Sequence, residues 1–453
     1  MAEGIARARR GVELGLVLLA GAIAGAAYML ASLGRRSSLP ATLVPFLAAV
    51  LGLLLLAHLA VRRTASGADP MLLPTAAFLH GIGWVMIARI SDRWAGLQAT
   101  WTLVGVTAFV TTLVVVSRTS DLRRHQWTSL VAGLALLMLP LVPGIGFTSG
   151  GARIWVSIGP VNFQPGEFAK ILLALFFAAY LDERRNLITR ASRTFAGLPV
   201  PEPRHFAPIL VAWGMSVVIM VGQRDLGSSL LFFTLFIVMI WVATERSGWL
   251  VAGGAMFSLA AVAAYNLFSH VRTRVQIWVD PWDDYTGAGY QPVRGIFALA
   301  NGSLTGTGLG LGDPGAIPAA HNDFIFAAVG EELGLLGATA VLAAFLLMTG
   351  AGMRTALRAQ RDYDKLLATG LTTILAVQTF IIVGGVLRVV PLTGVTLPFM
   401  SYGGSSLVAN YVLLALLVRI SDGTARGLHE VEDLPGPRER WAARIARRRA
   451  AAA

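Results

Sequence analysis

Carboxylate side chains crowd into one stretch of an otherwise apolar chain. Residues 274–334 carry five aspartates and two glutamates, and they form the longest interruption between apolar segments. Their neighbours are Gly, Pro and Trp, so a specific loop shape around a few carboxylates is expected. Such carboxylates can transfer protons, and Asp284 is the first candidate for that chemistry. The alternative is that Asp284 only shapes a turn, because the surrounding PWDDYTG also suits one.

A second pair of ionisable residues opens a predicted membrane span. Glu167 and Lys170 are three residues apart in FQPGEFAKILLALFF, a spacing that places both on one helix face. Lys170 and Lys365 are the only lysines in this arginine-rich chain. Charged groups at membrane depth normally face the protein interior, so we expect the pair to line a polar cavity. A structural ion pair, with Lys170 reaching outward to the interface, is the alternative.

Three further segments carry candidate residues. Arg153 and Gln164 lie in GARIWVSIGPVNFQPGEF, which the pattern places at the membrane interface. The guanidinium of Arg153 suits a phosphate, but it suits a neighbouring backbone carbonyl as well. Asp225 follows Arg224 between two spans and could pair with it, while Ser405 opens the last span, where packing is the favoured role.

The histidines do not form a metal-binding motif. None of the seven has a zinc-ligand spacing, and His321, beside Asp323, is expected to orient the end of the acidic loop. Gly310, Gly312 and Gly315 fit a dinucleotide-binding pattern by chance, because Pro314 interrupts it.

Composition determines which elements must position these residues. The chain has 453 residues, 55% hydrophobic and only 14% charged, with a mean hydropathy of +0.66, which indicates an all-α polytopic membrane protein. We predict twelve transmembrane helices with approximate cores at 11–34, 39–61, 71–90, 96–117, 127–144, 167–181, 206–222, 227–244, 248–270, 324–350, 367–390 and 402–420.

The distribution of arginine predicts the orientation. With twelve spans both termini lie on one side, and most arginine clusters fall there, which makes that side the cytoplasm. These clusters are Arg7–Arg10, Arg62–Arg63, Arg118–Arg124, Arg184–Arg193, Arg354–Arg361 and Arg447–Arg449. Arg35 and Arg36 are the exception. The large loop 271–323 then faces outward.

The charge and the lack of cysteine exclude other classes of protein. The net charge of +12 is spread over the inner loops, without a basic face interleaved with aromatic residues. The charge is therefore explained by membrane topology and by contact with anionic lipid, and it does not indicate nucleic-acid binding. With no cysteine, disulfides, thiolate metal sites and cysteine nucleophiles are excluded.

Five segments together resemble a known family. GARIWVSIGPVNFQPGEFAK, the DLG at 225–227, PWDDYTGAGYQ, HNDFIFAAVGEELGLLG and LPFMSYGGSSLVANY are similar, in this order, to the hallmark segments of the shape, elongation, division and sporulation (SEDS) family of peptidoglycan polymerases, which includes RodA and FtsW. The resemblance covers residues 70–421. It implies a core of ten helices at 67–422, preceded at 1–66 by two additional helices, as in actinobacterial RodA, and followed by a basic cytoplasmic tail at 423–453.

The resemblance implies a glycosyltransferase that polymerises lipid II at the outer face of the cytoplasmic membrane during elongation, releasing undecaprenyl pyrophosphate. Asp284 matches the family's essential aspartate and would be the general base on the acceptor 4-hydroxyl, with Asp283 as its competitor. Glu167 and Lys170 match the family's cavity pair, and Tyr290 and Gln291 match the family's Gly-Tyr-Gln motif. Cavity-lining roles are expected as well for Arg153, Gln164, His321, Asp323 and Ser405.

The cofactor and the partners follow from the same resemblance. A divalent cation, Mg²⁺ or Mn²⁺, is compatible with stabilising the pyrophosphate leaving group, although no ligands can be named. The expected protein partner is a class B penicillin-binding protein, packed on the tenth and eleventh spans. Two other functions stay open: a lipid II flippase or transporter, which would also need a polar cavity, and a non-catalytic scaffold for the penicillin-binding protein.

Overall fold

A computed structural model describes residues 2–39, 43–159, 161–189, 191–195, 198–201 and 203–432. Arg190 and the predicted tail beyond residue 432, with Arg447–Arg449, lie outside the described residues.

Helices form most of the described chain, and each of the twelve predicted spans contains one. The helices are α1 (Ala2–Arg36), α2 (Leu43–Thr64), α3 (Leu72–Ile90), α4 (Asp92–Val115), α5 (Thr119–Arg123), α6 (Gln126–Met138), α7 (Gly166–Thr189), α8 (Pro203–Gly222), α9 (Leu226–Thr244), α10 (Gly248–Leu267), α11 (Ser269–Val279), α12 (Tyr290–Gly302), α13 (Ile325–Arg358), α14 (Asp362–Val386) and α15 (Gly404–Glu432).

Their length and composition confirm a polytopic all-α membrane protein. Among the described residues, nine helices are long and apolar enough to cross a membrane, and α6 with its following turn and most of α8 are shorter apolar helices. The remaining predicted span, α7, carries Glu167 and Lys170 at its start and four charged residues near its end.

The centre of the bundle is formed by the last two helices. In the apolar stretches of α14 and α15, 83% and 89% of the residues are buried, against 6% for α10. α15 packs along α4, while α14 packs against α7, α9 and α13. The start of α7 therefore faces protein instead of lipid, which explains how it can carry two charged side chains.

The segment between α6 and α7 folds as a small antiparallel sheet, which was not predicted. Its strands are β1 (Gly146–Ser149), β2 (Ala152–Ile158) and β3 (Val161–Phe163), with β2 in the middle. β4 (Ala191–Phe195) and β5 (Leu198–Pro201) form a separate hairpin between α7 and α8.

Several predicted boundaries were wrong. α6 ends at Met138, six residues before the predicted 144, because Pro140 starts a 3₁₀ turn there. α15 continues to Glu432, so residues 423–432 of the predicted tail are helical. Asp422 supports that extension, because it accepts the backbone N–H of Gly67 at 2.8 Å and pairs with Arg426 at 2.9 Å.

The predicted loop 271–323 contains two helices. α11 and α12 lie within or across its limits, and the acidic residues Asp283 and Asp284 occupy the turn between them. We call residues 280–289 the Asp284 turn. The five aspartates of this loop lie outside α11 and α12, whereas Glu331 and Glu332 of the same acidic stretch lie in α13, and the loop itself is more ordered than predicted.

Candidate functional site: a buried charged pair and an exposed acidic turn

The Glu167–Lys170 pair is buried at the start of α7. The Nζ of Lys170 lies 2.6 Å from a carboxylate oxygen of Glu167 and donates to Oε1 of Gln378 at 2.8 Å. The two charged side chains expose only 7% and 4% of their surface. Lys170 therefore points into the protein and does not reach outward to the interface. Burying these charges is tolerable because each has a close partner of opposite charge.

A chain of polar side chains continues from this pair. Gln378 donates to the carbonyl of Thr396 at 2.8 Å, and the hydroxyl of Thr396 donates to that of Ser406 at 2.7 Å. The amide of Asn410 reaches the same Ser406 oxygen at 3.3 Å. The pair is thus connected through α14 to the start of α15.

Gln164 and Ser405 meet directly beside this chain. The hydroxyl of Ser405 accepts the backbone N–H of Gln164 at 2.9 Å, which ties the residue before α7 to the start of α15. Both predicted cavity residues are therefore brought next to the Glu167–Lys170 pair, although Gln164 makes this contact through its backbone.

Asp225 begins α9 instead of pairing with Arg224. Its carboxylate accepts the backbone N–H of Ser228 at 3.0 Å, which is an N-cap interaction. Burial raises the pKa of Asp225, hydrogen bonding from Ser228 lowers it, and the nearby Glu167 raises it again. A small cavity lined by Gln164, Gln223 and Asp225 lies among the ends of α6 and α8 and the starts of α7 and α9.

Arg153 binds backbone carbonyls, the second of the two alternatives considered for it. Its Nε donates to the carbonyl of Pro140 at 2.9 Å, and Nη2 reaches those of Val142 and Gly146 at 3.3 and 3.4 Å. The backbone N–H of Arg153 also donates to the carbonyl of Gln223 at 2.9 Å. Arg153 therefore fastens the sheet to the end of α6 and to the end of α8.

The Asp284 turn is exposed. The backbone carbonyl of Asp284 accepts the backbone N–H groups of Gly287 and Gly289. The side-chain Oδ2 of Asp284 accepts the backbone N–H of Ala288 at 2.8 Å. Oδ1 has no hydrogen-bond partner among the described residues. A Cβ at position 287 would overlap Oδ1 and lie 2.6 Å from Oδ2, so a larger residue there would force the carboxylate to move from its place over the turn. The residue shapes the turn and still offers one free oxygen. Asp283, its competitor, is exposed as well.

Tyr290 and Gln291 hold the start of α12 beside this turn. The ring of Tyr290 lies edge to face with that of Tyr285 at 6.4 Å, and its hydroxyl accepts from Nε of Arg294 at 3.1 Å. The side-chain amide of Gln291 donates to the carbonyl of Pro318 at 2.7 Å. Gln291 therefore connects the Asp284 turn to the segment that precedes His321.

His321 and Asp323 lie at the other end of the same loop. The imidazole of His321 stacks on the indole of Trp94 with ring centroids 5.1 Å apart. The backbone carbonyl of His321 accepts the backbone N–H of Tyr402 at 2.8 Å. Burial raises the pKa of Asp323 to about 6, and the positive charge of Arg274 opposes that rise. Arg274 itself donates to the carbonyls of Leu392 and Thr393 at 3.2 and 2.9 Å.

Seven of the predicted residues thus fall into two groups, while Arg153, His321 and Asp323 lie outside both. Glu167, Lys170, Gln164 and Ser405 are close together and buried or partly buried, whereas Asp284, Tyr290 and Gln291 surround the exposed turn. Among the described residues, no hydrogen bond or ion pair joins Asp284 to the buried pair.

Two residues of this site were not predicted from the sequence. Gln378 is the second partner of Lys170, and a glutamine in the middle of the apolar α14 was the signal that could have identified it. Arg274 influences both Asp225 and Asp323 through its charge, and nothing in its local sequence indicated that.

The described part of the chain contains no cluster of three or more His, Cys, Asp or Glu side chains suited to a metal ion. The predicted Mg²⁺ or Mn²⁺ therefore has no ligand set assigned to it.

A family model for cell cycle proteins, covering FtsW, RodA and SpoVE, matches residues 73–426. The chain belongs to this family. The matched region of the FtsW/RodA/SpoVE family begins within α3, so α1 and α2 precede it.

The peptidoglycan glycosyltransferase RodA of Mycobacterium tuberculosis is similar over more of the chain. It is 45% identical over 431 residues, which cover 93% of this chain and 92% of that protein.

Two solved structures of the family share the fold. A chain from a peptidoglycan synthase complex that coordinates polymerisation and crosslinking superposes with a TM-score of 0.66 at 27% identity, covering 79% of this chain and 98% of that one. The rod shape determining protein RodA of Thermus thermophilus gives a TM-score of 0.55 at 25% identity, covering 78% of this chain and 96% of its own.

Proposed function

We propose that this chain is a peptidoglycan glycosyltransferase that polymerises lipid II at the outer face of the cytoplasmic membrane, in cell elongation. The observation that carries the proposal is the 45% identity to a peptidoglycan glycosyltransferase RodA over 93% of the chain. The likeness to a chain of a peptidoglycan synthase complex supports it. The outward direction of the Asp284 turn and the cytoplasmic termini rest on the arginine distribution.

Asp284 is the proposed general base. In the reaction, the acceptor 4-hydroxyl oxygen attacks the anomeric carbon of the donor sugar, and the bond from that carbon to the lipid pyrophosphate breaks. The hydroxyl proton passes to Asp284, and undecaprenyl pyrophosphate leaves with the bonding electrons. The geometry supports this role because the Asp284 side chain is exposed and its Oδ1 has no hydrogen-bond partner among the described residues, while Oδ2 is held by Ala288.

Lys170 is the proposed cation for the pyrophosphate end of the substrate. Two of its three N–H groups serve Glu167 and Gln378, so one N–H is left for an anionic oxygen. Arg153 is the weaker candidate of the two, since its Nε and Nη2 are already used on carbonyl oxygens. A fixed positive charge would stabilise the negative charge that develops on the leaving group.

The experiment is glycan polymerisation from purified lipid II, with the cognate penicillin-binding protein present. Asp284→Asn is compared with Asp283→Asn, the neighbouring exposed aspartate, at equal folded amounts. We expect the Asp284 variant to lose polymer and the Asp283 variant to retain it. The reverse result would move the base to Asp283, and full activity in both variants would remove this turn from the chemistry.

Measurements of lipid II transport and of partner binding, made beside the polymerisation assay, separate the other two functions. A lipid II transporter would move lipid II across vesicles without making glycan, and it would tolerate Asp284→Asn. A scaffold would bind its partner normally when Glu167, Lys170 and Asp284 are all replaced. No polymer from the wild-type protein would contradict the proposed activity.

A class B penicillin-binding protein is the proposed partner, on α13 and α14. The lipid-facing side of α13 supports this site, because Leu335, Leu336 and Leu346 are 60%, 61% and 72% exposed. Replacing Leu346 by Trp should weaken co-purification with the partner, whereas Leu259→Trp on α10, which is 73% exposed, should not.

A further inference from the structure

Helix α1, which precedes the family-matched region, contacts the loop that carries the candidate site. Residues 305–312, here called the glycine segment, lie between α12 and the turn at Pro314–Ala316. The contact is so close that a Cβ on Gly34 would overlap the carbonyl oxygen of Leu309 and lie 3.2 Å from Cα of Gly310. Gly310, with φ of +84°, approaches the backbone of Ala31 and Arg35 in return.

A regular stripe of small residues brings α1 to this position. Ala20, Ala24, Ala27 and Ala31 are all at most 7% exposed, and with Gly34 they recur at alternating steps of four and three residues. This spacing keeps one face of a helix against its neighbour, and small side chains allow close approach in a membrane. The neighbour is α3, where Gly81 faces Ala24.

Charged groups fix the same corner from the other side. Nε of Arg89, at the end of α3, lies 2.9 Å from a carboxylate oxygen of Glu332, and its Nη2 donates to the carbonyl of Gly312 at 2.7 Å. The other oxygen of Glu332 accepts the N–H of Gly310 at 3.0 Å. The glycine segment is therefore held among α1, α3 and α13.

The two arginines that contradicted the charge rule belong to this corner. Arg36 pairs with Asp92 at 2.7 Å, and Arg35 donates to the carbonyl of Arg89 at 3.4 Å. The opposite end of α1 is fixed as well, because Arg10 donates to the carbonyl of Ala68 and Glu13 binds His58 at 2.8 Å. α1 is thus attached near both of its ends.

A continuous path leads from this corner to the Asp284 turn. The glycine segment continues through Pro314–Ala316 to Pro318, whose carbonyl accepts the side chain of Gln291. Helix α12 follows the Asp284 turn directly, and Gln291 is its second residue. We propose that α1 is a positioning element of the transferase site, which holds the Asp284 turn in place through Gly34, the glycine segment and Gln291. The inference rests on the proposed function.

The test inserts bulk at the contact. Gly34→Leu forces the glycine segment away from α1, and Gly34→Ala does so to a smaller extent. Gly15→Leu is the matched control, because Gly15 is on the same helix and a Cβ there meets nothing within 4 Å. We expect Gly34→Leu to lower kcat for glycan polymerisation by about tenfold or more, since a misplacement of about 1 Å at a reacting group can cost on the order of a hundredfold. Gly34→Ala should fall between it and the wild type. KM for lipid II should be unchanged in the variants that fold.

A second measurement does not depend on catalysis. Because the chain has no cysteine, a single Leu309→Cys provides a unique maleimide-labelling site in the glycine segment. Labelling of Leu309→Cys should be slow when the rest of the chain is wild type and when it carries Gly15→Leu, because labelling needs local opening. It should be about tenfold faster when the chain carries Gly34→Leu. If Gly34→Leu does not fold, the same comparison is made with Gly34→Ala. Wild-type turnover in a folded Gly34→Leu protein, or unchanged labelling, would overturn the inference. If even the wild type makes no glycan, the proposed function fails, while labelling still decides whether α1 holds the segment.

Discussion

Removing one charge from the Glu167–Lys170 pair should be far more damaging than removing both. Lys170→Met leaves the Glu167 carboxylate, only 7% exposed, without its cation and deprives Oε1 of Gln378 of its donor. Breaking a buried ion pair from one side costs about 3–5 kcal/mol of unfolding free energy. Glu167→Gln together with Lys170→Met removes both charges and should cost only about 1 kcal/mol, because no buried charge is left uncompensated.

The assay is equilibrium unfolding of the purified protein in detergent, with the two single variants and the double variant forming a cycle. Lys365→Met is the control, because it removes the only other lysine from a partly exposed position and should change stability by no more than about 0.5 kcal/mol. A coupling energy of at least about 2 kcal/mol is expected for directly contacting charges. Coupling near zero would refute the conclusion that the two charges depend on each other inside the protein. Glycan polymerisation should be lost in the stable double variant too, which separates the role of Lys170 in activity from its role in folding.

Three other changes test separate parts of the site. Gly287→Ala should lower polymerisation about tenfold without unfolding the protein, because its Cβ displaces the Asp284 carboxylate; Gly254→Ala, where a Cβ meets nothing, should have no effect on the same assay. Asp323→Asn should change the pH dependence of stability. Burial raises the folded-state pKa of Asp323 to about 6, so the folded protein binds this proton more tightly than the unfolded protein does. The unfolding free energy therefore falls by up to about 3 kcal/mol as pH rises from about 4 to 6. Unfolding free energy measured against pH should not show this fall in the Asn variant. Arg153→Lys should increase proteolysis within residues 146–163, because one ammonium cannot replace the three carbonyl contacts; unchanged cleavage would count against the fastening role.

The membrane helices were predictable because their signal is local. An apolar run of about twenty residues favours a helix in a bilayer, and a helix lies in each of the twelve predicted spans, nine of them, among the described residues, long and apolar enough to cross. The small sheet was missed for the opposite reason. Its strands have only three to seven residues, and Gly150 and Gly151 between β1 and β2 read as a loop.

The candidate site was predictable only where one segment carries the information. Glu167 and Lys170 share a helix turn, so their pairing followed from spacing. The contact of Lys170 with Gln378 joins residues 208 positions apart, and no local pattern encodes it. For Arg153, one guanidinium suits a phosphate and a carbonyl equally well. The choice between them depended on where the carbonyl of Pro140 lies in three dimensions.

The ion pair between Arg36 and Asp92 has a consequence for biosynthesis. In the proposed orientation, Arg35 and Arg36 cross the membrane at the end of α1, while Asp92 is synthesised more than fifty residues later. Arg35 and Arg36, in the last turn of α1, must pass the hydrocarbon region during insertion, and the apolar residues of α1 alone must supply the free energy for that step. The membrane orientation of α1 in the nascent chain is therefore least stable before α4 is synthesised. Only then can Asp92 pair with Arg36 on the far side, while Arg35 donates to the carbonyl of Arg89.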